Sequence, residues 1–436
     1  MFDILFKNAT VITMCDENKV LYNAFCAVEG KKIVYISEKE PENACSKRVI
    51  DCGGDILMPG LINCHAHTAM TLLRGFSDDS TLNDWLFNHI FPAESKLDLK
   101  AVSAGFTLGA AEMLSTGTTT FCDMYFYSDE TAKLADSFGM RACISNGVIA
   151  LSNDYEFEED RSVKELRTML KDKSLSDRIT PMASIHCERT SPPDVWEKAV
   201  KLAKENNLMM HIHLSETESD HMGCVNEYGI TPAQRLEKYG VFDQKTTAAH
   251  CVHITEGDME LLARHGVSAV HNPVSNLKLA SGIADICALR EHGVNVALGT
   301  DGCSSNNTLD MFEDMKLAAL LAKNKSRRPE CFTAYDALKL ATVNGAKAIG
   351  KENIIGKIKT GYEADLILID THNVRRTPMY DALSTAVYCL SGQDVYLTMV
   401  QGKVLYERGE FKTLDAENAI KTVNEYAVPI VRSVIK

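Results

Sequence analysis

The sequence predicts an α/β protein: a closed TIM-like (β/α)8 barrel over residues 57–350, a small β side domain assembled from residues 1–56 and 355–415, and a helical tail over 416–436. Three observations carry this reading. Eight short apolar runs end in polar or histidine residues and alternate with amphipathic helical stretches, the pattern of βα units around a parallel sheet. β-rich runs recur at both chain ends, and neither set can easily bury two faces alone. The chain is 436 residues long and 45% apolar, enough for a barrel of about 250 residues with a second unit beside it.

Taken in order, ILFKNATVITM, AFCAVEGKKIVYIS and RVIDCGG alternate short β runs with polar turns and read as a small antiparallel sheet. The eight barrel runs follow: LMPGLINCHAH, TTTFCDMY, MRACISN, ITPMASIH, LMMHIHL, TTAAHC, VSAVH and VNVALGTD. Helices such as LKAVSAGFTLGAAEML and TAYDALKLATVNGAKAI lie after them, and eight repeats close a barrel. ADLILID and TMVQGKVLYERGEF resume the β pattern, so the two ends are expected to pair.

Composition narrows the function. With 46 Lys plus Arg against 59 Asp plus Glu, the formal charge is −13, which repels a phosphate backbone and an anionic membrane surface. No nucleic acid and no membrane partner are expected. The 14 cysteines run from Cys15 to Cys389 without a C-x-x-C, as reduced thiols of a cytoplasmic protein would. The first residues carry an acid at Asp3 and lack the basic start of a signal peptide. No uncharged run approaches the 18 or so apolar residues of a membrane span.

A barrel places its active site where its strands end. His65 and His67 close the first run, and residues i and i+2 of a strand face one way, so both rings can share a cation. A histidine at the end of MHIHL, His250 in AAHC and Asp301 in VALGTD reach the same rim. Together they form a catalytic metal site with a position left for water. Strand alternation alone allows either His211 or His213 from the fifth run; His253 and His271 read as hydrogen-bonded structural groups.

The segments MPGLINCHAHTAMTLLRG, HIHLSET, AAHCVH and LGTDGCSSNN resemble the signatures of the amidohydrolase superfamily, in particular its branch that deaminates 5′-modified adenosines. The resemblance covers nearly the whole chain, including GYEADLILID in the side domain. It implies one divalent metal on His65, His67, His213 and Asp301. An imidazole-rich site with one carboxylate suits zinc first and also iron, manganese or cobalt, and the fourth run ends without a lysine that would bridge two ions. It further implies Glu216 as general acid and base, His250 beside the attacking water, and Asp301 as a second proton carrier. For the substrate it implies a lid from Trp85 and a ribose-binding Glu94, both on a long loop after the first strand, with His186 against the nucleoside. Arg161 would meet a homocysteine carboxylate. The small-molecule substrate would thus be a nucleoside such as S-adenosylhomocysteine or 5′-methylthioadenosine, losing ammonia from C6. Relatives commonly self-associate, so a homo-oligomer is expected.

One segment departs from the resemblance. Relatives usually follow the fourth-strand histidine with Pro-Tyr, whereas this chain has His186-Cys187-Glu188-Arg189-Thr190. Arg189 either contacts an anionic tail or pairs with Glu188. Other classes fit less well: the small zinc deaminases need a P-C-x-x-C that is absent, and a non-catalytic scaffold would be expected to have lost ligands. A guanine deaminase or hydrolytic dechlorinase of the same branch would keep the metal set and change the surroundings of Glu94 and Arg161.

Overall fold

Side chains of β-branched and apolar residues fill both faces of the central strands, which only a sheet covered on both sides allows. A computed structural model describes residues 1–434 except 17–18, 43–44 and 153, so the last two residues of the expected tail lie outside it. The N-terminal region gives β1 (Phe2–Ile12), β2 (Val20–Glu29), β3 (Lys32–Ser37), β4 (Ser46–Asp51) and β5 (Ile56–Pro59). Next come β6 (Leu61–His67), β7 (Thr118–Met124), β8 (Arg141–Ser145), β9 (Ile179–Pro181), β10 (Ala183–Ser184), β11 (Met210–Leu214), β12 (Thr246–His250), β13 (Ser268–His271), β14 (Asn295–Leu298) and β15 (Asp301–Gly302). The chain ends with β16 (Leu366–Ile369), β17 (Val395–Val400), β18 (Lys403–Glu407) and β19 (Glu410–Phe411).

Each of the eight runs supplies a parallel strand to the barrel, but the first gives up Leu57–Pro59 to β5 of the sheet from the two termini, so that sheet reaches past the expected boundary at residue 56, and two others are divided within the barrel. The fourth run is β9, paired with β8, and β10, paired with β11; the eighth is β14, paired with β13, and β15, paired with β6. The break at Met182 is short: its N–H donates to Ile144 at 2.9 Å, and that of Ala183 donates to Met209 on the other side at 2.9 Å. Ile62, Cys64, Cys122, Cys143, Met182, Val270 and Ala297 plug the lower barrel with small apolar groups and thiols. β6 shifts register against β7 between Asn63 and Ala66. The irregularity turns the run from Ile62 and Cys64 below to His65 and His67 above.

Strands from both termini form one sheet in the order β19-β18-β17-β16-β5-β1-β2-β3, with β4 on β1. It is mixed rather than antiparallel, because β1 runs parallel to both β4 and β5. The sheet is tied to the barrel by Arg141, whose Nε donates to Asp365 at 3.0 Å and whose Nη2 donates to Glu363 at 2.6 Å, all largely buried. Of the C-terminal helical turns, Ala416–Thr422 and Val423–Ala427 lie on helix Leu99–Ser115, with Tyr426 hydrogen-bonded to Asp98, and Val428–Arg432 lies against Phe91–Glu94 and Thr68–Leu73. Among the described residues no helix is long and apolar enough to cross a membrane.

Candidate metal centre and active site

The mouth of the barrel gathers His65 and His67 from β6, His213 from β11, His250 from β12 and Asp301 from β15. Ligand atoms of His65, His67 and His213 lie within 4.8 Å of one another, as do those of His65, His250 and Asp301. Asp301 Oδ1 is 3.3 Å from His65 Nε2 and 3.2 Å from His67 Nε2. Its other oxygen is held by the hydroxyls of Ser275 at 2.6 Å and Ser305 at 2.8 Å, which leaves Oδ1 aimed at the rings.

Each ring is turned by a partner on Nδ1. His67 donates to the Met124 carbonyl at 2.6 Å, His213 to the His186 carbonyl at 2.8 Å, and His250 to Asn276 Oδ1 at 2.8 Å. A carbonyl only accepts, so the Nδ1 atoms of His67 and His213 carry the protons. With both rings in the neutral form that binds a metal, their Nε2 atoms face each other across 3.3 Å as two lone pairs. His65 Nε2 is likewise buried without a hydrogen bond. Lone pairs converging on one carboxylate oxygen are repulsive alone and are satisfied by a cation, so these residues fit a divalent metal. His67 shows the same demand for positive charge: burial pulls its pKa down, but Asp301 overrides that and raises it to about 9, so that without a cation the ring would take a second proton on Nε2 and fill the place itself. Burial keeps His213 well below its usual range, in the neutral form a metal requires.

His211 is spent differently. Its Nε2 meets His65 Nδ1 at 2.9 Å and its Nδ1 faces Ser145 Oγ at 3.2 Å, so it orients a ring of the centre rather than joining it. His253 is bonded to the Ser281 carbonyl at 2.7 Å. His271 departs from expectation: it is buried, but neither ring nitrogen has a hydrogen-bond partner among the described residues.

The backbone around the centre is strained. Ser215, His250, Cys251 and Asp301 have φ of 46°, 73°, 48° and 62°, a left-handed conformation that non-glycine residues seldom adopt and that clusters at functional sites. Close approach matters as well. A Cβ on Gly299 would lie 2.9 Å from the Cβ of His65, so only glycine lets the eighth run press against that histidine.

Above the centre opens a cleft of about 900 Å³. His67, His213, His250, Glu216 and Asp301 line its floor; Trp85, Glu94 and His186 line its walls. Glu216 is largely buried, its Oε2 3.6 Å from His250 Nε2 and its Oε1 3.3 Å from the Ser281 hydroxyl. Burial raises its pKa. Trp85 Nε1, Glu94 Oε1 and Tyr125 Oη are sealed from solvent without hydrogen-bond partners among the described residues, and all three residues line the cleft. Buried polar atoms left so are rare in folded proteins and point to a polar ligand.

Two expectations are corrected. Trp85 and Glu94 do not sit on a loop: Leu82–Asp84, a π-helical turn Trp85–Ile90 and Phe91–Glu94 form one continuous helical segment. Such wide turns are common where a helix carries function. Arg161 does not line the cleft. It opens helix Arg161–Lys171, where Nε pairs with Glu165 at 2.6 Å and the guanidinium stacks 3.5 Å from the centre of the Tyr127 ring. Glu165 is itself fixed by the backbone N–H groups of Tyr127 and Ser128, both at 2.9 Å. Tyr125 is one polar cleft residue that sequence reasoning passed over, although its place just past the end of β7 marks it.

Fold and site together define a barrel whose strand ends build a histidine–aspartate centre under a polar cleft. The chain belongs to the amidohydrolase family, whose model matches residues 56–405. It is 41% identical over 436 residues to a 5′-deoxyadenosine deaminase of Methanosarcina mazei, covering all of both chains. To a 5-methylthioadenosine/S-adenosylhomocysteine deaminase of Acetivibrio thermocellus it is 40% identical, covering 99% of this chain and 100% of that one. Among solved structures, an adenosine deaminase from Xanthomonas campestris with bound zinc superposes with a TM-score of 0.92 at 32% identity, over 99% of each chain.

Proposed function

We propose that this protein hydrolyses the C6 amino group of 5′-modified adenosines such as 5′-methylthioadenosine, 5′-deoxyadenosine and S-adenosylhomocysteine, with zinc on His65, His67, His213 and Asp301. The observation that carries this reading is the pair of facing Nε2 lone pairs on His67 and His213, beside Asp301 and below a cleft whose sealed polar atoms await a ligand. Full-length relatives named for deamination of such nucleosides support the substrate class.

A divalent metal held by His65, His67, His213 and Asp301 would lower the pKa of water toward ~7 and so make hydroxide available at neutral pH. The protein's own groups do the rest. Glu216 takes the proton of the attacking water and gives it to the ring nitrogen beside C6, a role suited to a buried carboxyl with a raised pKa. His250, oriented by Asn276, presents Nε2 toward Glu216 and steadies charge at the attacked carbon. Asp301 relays a second proton to the departing ammonia; water adds, ammonia leaves and a C6 carbonyl remains. Glu94 accepts the two ribose hydroxyls, while Trp85 and His186 close on the nucleoside.

The test is ammonia release and loss of adenine absorbance with 5′-methylthioadenosine, 5′-deoxyadenosine, S-adenosylhomocysteine, adenosine and guanine side by side, alongside metal analysis of protein purified without chelators. Turnover of the 5′-modified adenosines by protein holding one equivalent of zinc is expected. Turnover of guanine alone would reject the nucleoside assignment.

A further inference from the structure

Past the reacting end, the cleft meets a second cavity of about 990 Å³, and Glu188, Arg189 and Asp220 line both. Glu188 follows the fourth barrel run and is only 4% exposed. Its Oε1 makes no hydrogen bond among the described residues. The neighbouring guanidinium is not its partner: Arg189 Nε pairs with Asp220 Oδ1 at 3.1 Å, and Nη1 donates to Asn83 Oδ1 at 2.9 Å. Arg235, the other cation of the second cavity, stacks 3.6 Å from the centre of the Tyr228 ring. Arg189 is therefore paired with Asp220; it and Arg235 reach Glu188 only at longer range, and the junction holds one acid that makes no ion pair among the described residues. Burial pushes that carboxyl up to about 7, a sign of how poorly the protein alone solvates its charge.

This chemistry selects what lies beyond the ribose. A carboxylate tail would meet an occupied arginine and an unpaired acid, and Arg161 stands outside the cleft on Glu165. An ammonium would give Glu188 the partner it lacks. Resting on the deaminase reading above, we propose that Glu188 receives a protonated amine carried on the 5′ substituent, so that the protein prefers nucleosides with an aminoalkyl tail.

Three nucleosides with the same base and ribose test this: 5′-methylthioadenosine, a 5′-(3-aminopropylthio) analogue and a 5′-(3-carboxypropylthio) analogue. The amine is expected to exceed the methylthio compound by roughly tenfold in kcat/KM, mainly through KM, the worth of one charge-assisted hydrogen bond. The carboxylate should be the poorest of the three. Glu188→Gln, which keeps shape and removes charge, should collapse the preference for the amine. An amine no better than the methylthio compound in the unaltered enzyme, or a preference that survives Glu188→Gln, overturns the proposal. Calorimetric binding of the same three compounds reads the contact without catalysis, so failure of deamination and failure of this contact are separate results.

Discussion

The proton carried on Nδ1 decides what each histidine of the barrel mouth can do. His67, His213 and His250 give that proton to acceptors outside the centre and turn Nε2 inward, whereas His211 uses both nitrogens on neighbours. Glu216 stands apart from the cation's ligands, so Glu216→Gln should leave metal content intact and lower kcat by about 10²–10⁴, the usual worth of general acid–base catalysis. Metal analysis and turnover on the same preparation check both halves. Glu94 provides a pH signature. Burial raises it to about 7, and hydroxyl donors favour its ionised form, so affinity is full above that value and weakens as protons are added below it. KM is therefore expected to rise toward tenfold per unit as pH falls from about 7 to about 5.5, and Glu94→Gln should flatten that slope. That His65, His67, His250 and Asp301 would meet at one rim was legible in the sequence because apolar runs mark where strands end, whereas strand alternation could not choose between His211 and His213. Arg161 was not legible, since its direction is set by Glu165, and Glu165 by the backbone of Tyr127 and Ser128 far along the chain.

At the scale of elements, the eighth run carries the tightest constraint. Gly299 must lie flat against His65 before the chain turns left-handed at Asp301. Gly299→Ala is expected to displace that ring, reduce metal occupancy and cost roughly 10² in turnover, as small misplacements in active sites do; a fully loaded, fully active variant would contradict it. The division of this run into β14 and β15 had no sequence signal, because LGTD reads as one continuous strand. The segment after β6 was misread for a related reason. Aromatic residues and Pro92 in DWLFNHIFPAE weaken the helical pattern, but burial of Trp85, Leu86 and Ile90 against the core stabilises it.

For the molecule as a whole, the sheet from the two termini acts as a clasp on the barrel through Arg141, Asp365 and Glu363. Arg141→Met would leave buried Asp365 without its cation and Glu363 with Lys32 alone at 3.7 Å, and a loss of about 3–5 kcal/mol is expected because a buried charge without its partner is costly. Denaturant midpoints measure it, and a change under 1 kcal/mol would show that the clasp holds without its ion pairs. Pairing of the ends was foreseeable from their β patterns, but an arginine in MRACISN gave no sign that it would reach Asp365, more than 200 positions away.

The two broken strands have a mechanical meaning. They leave the barrel as two half-shells that meet at seams, one carrying His65, His67 and Asp301, the other His213 and His250. An ion held on the proposed ligands would join both shells and be a rivet as much as a reagent. Chelation should therefore loosen the enzyme along those joints, with amide exchange quickening near Met182 and Thr300 before the rest of the framework yields.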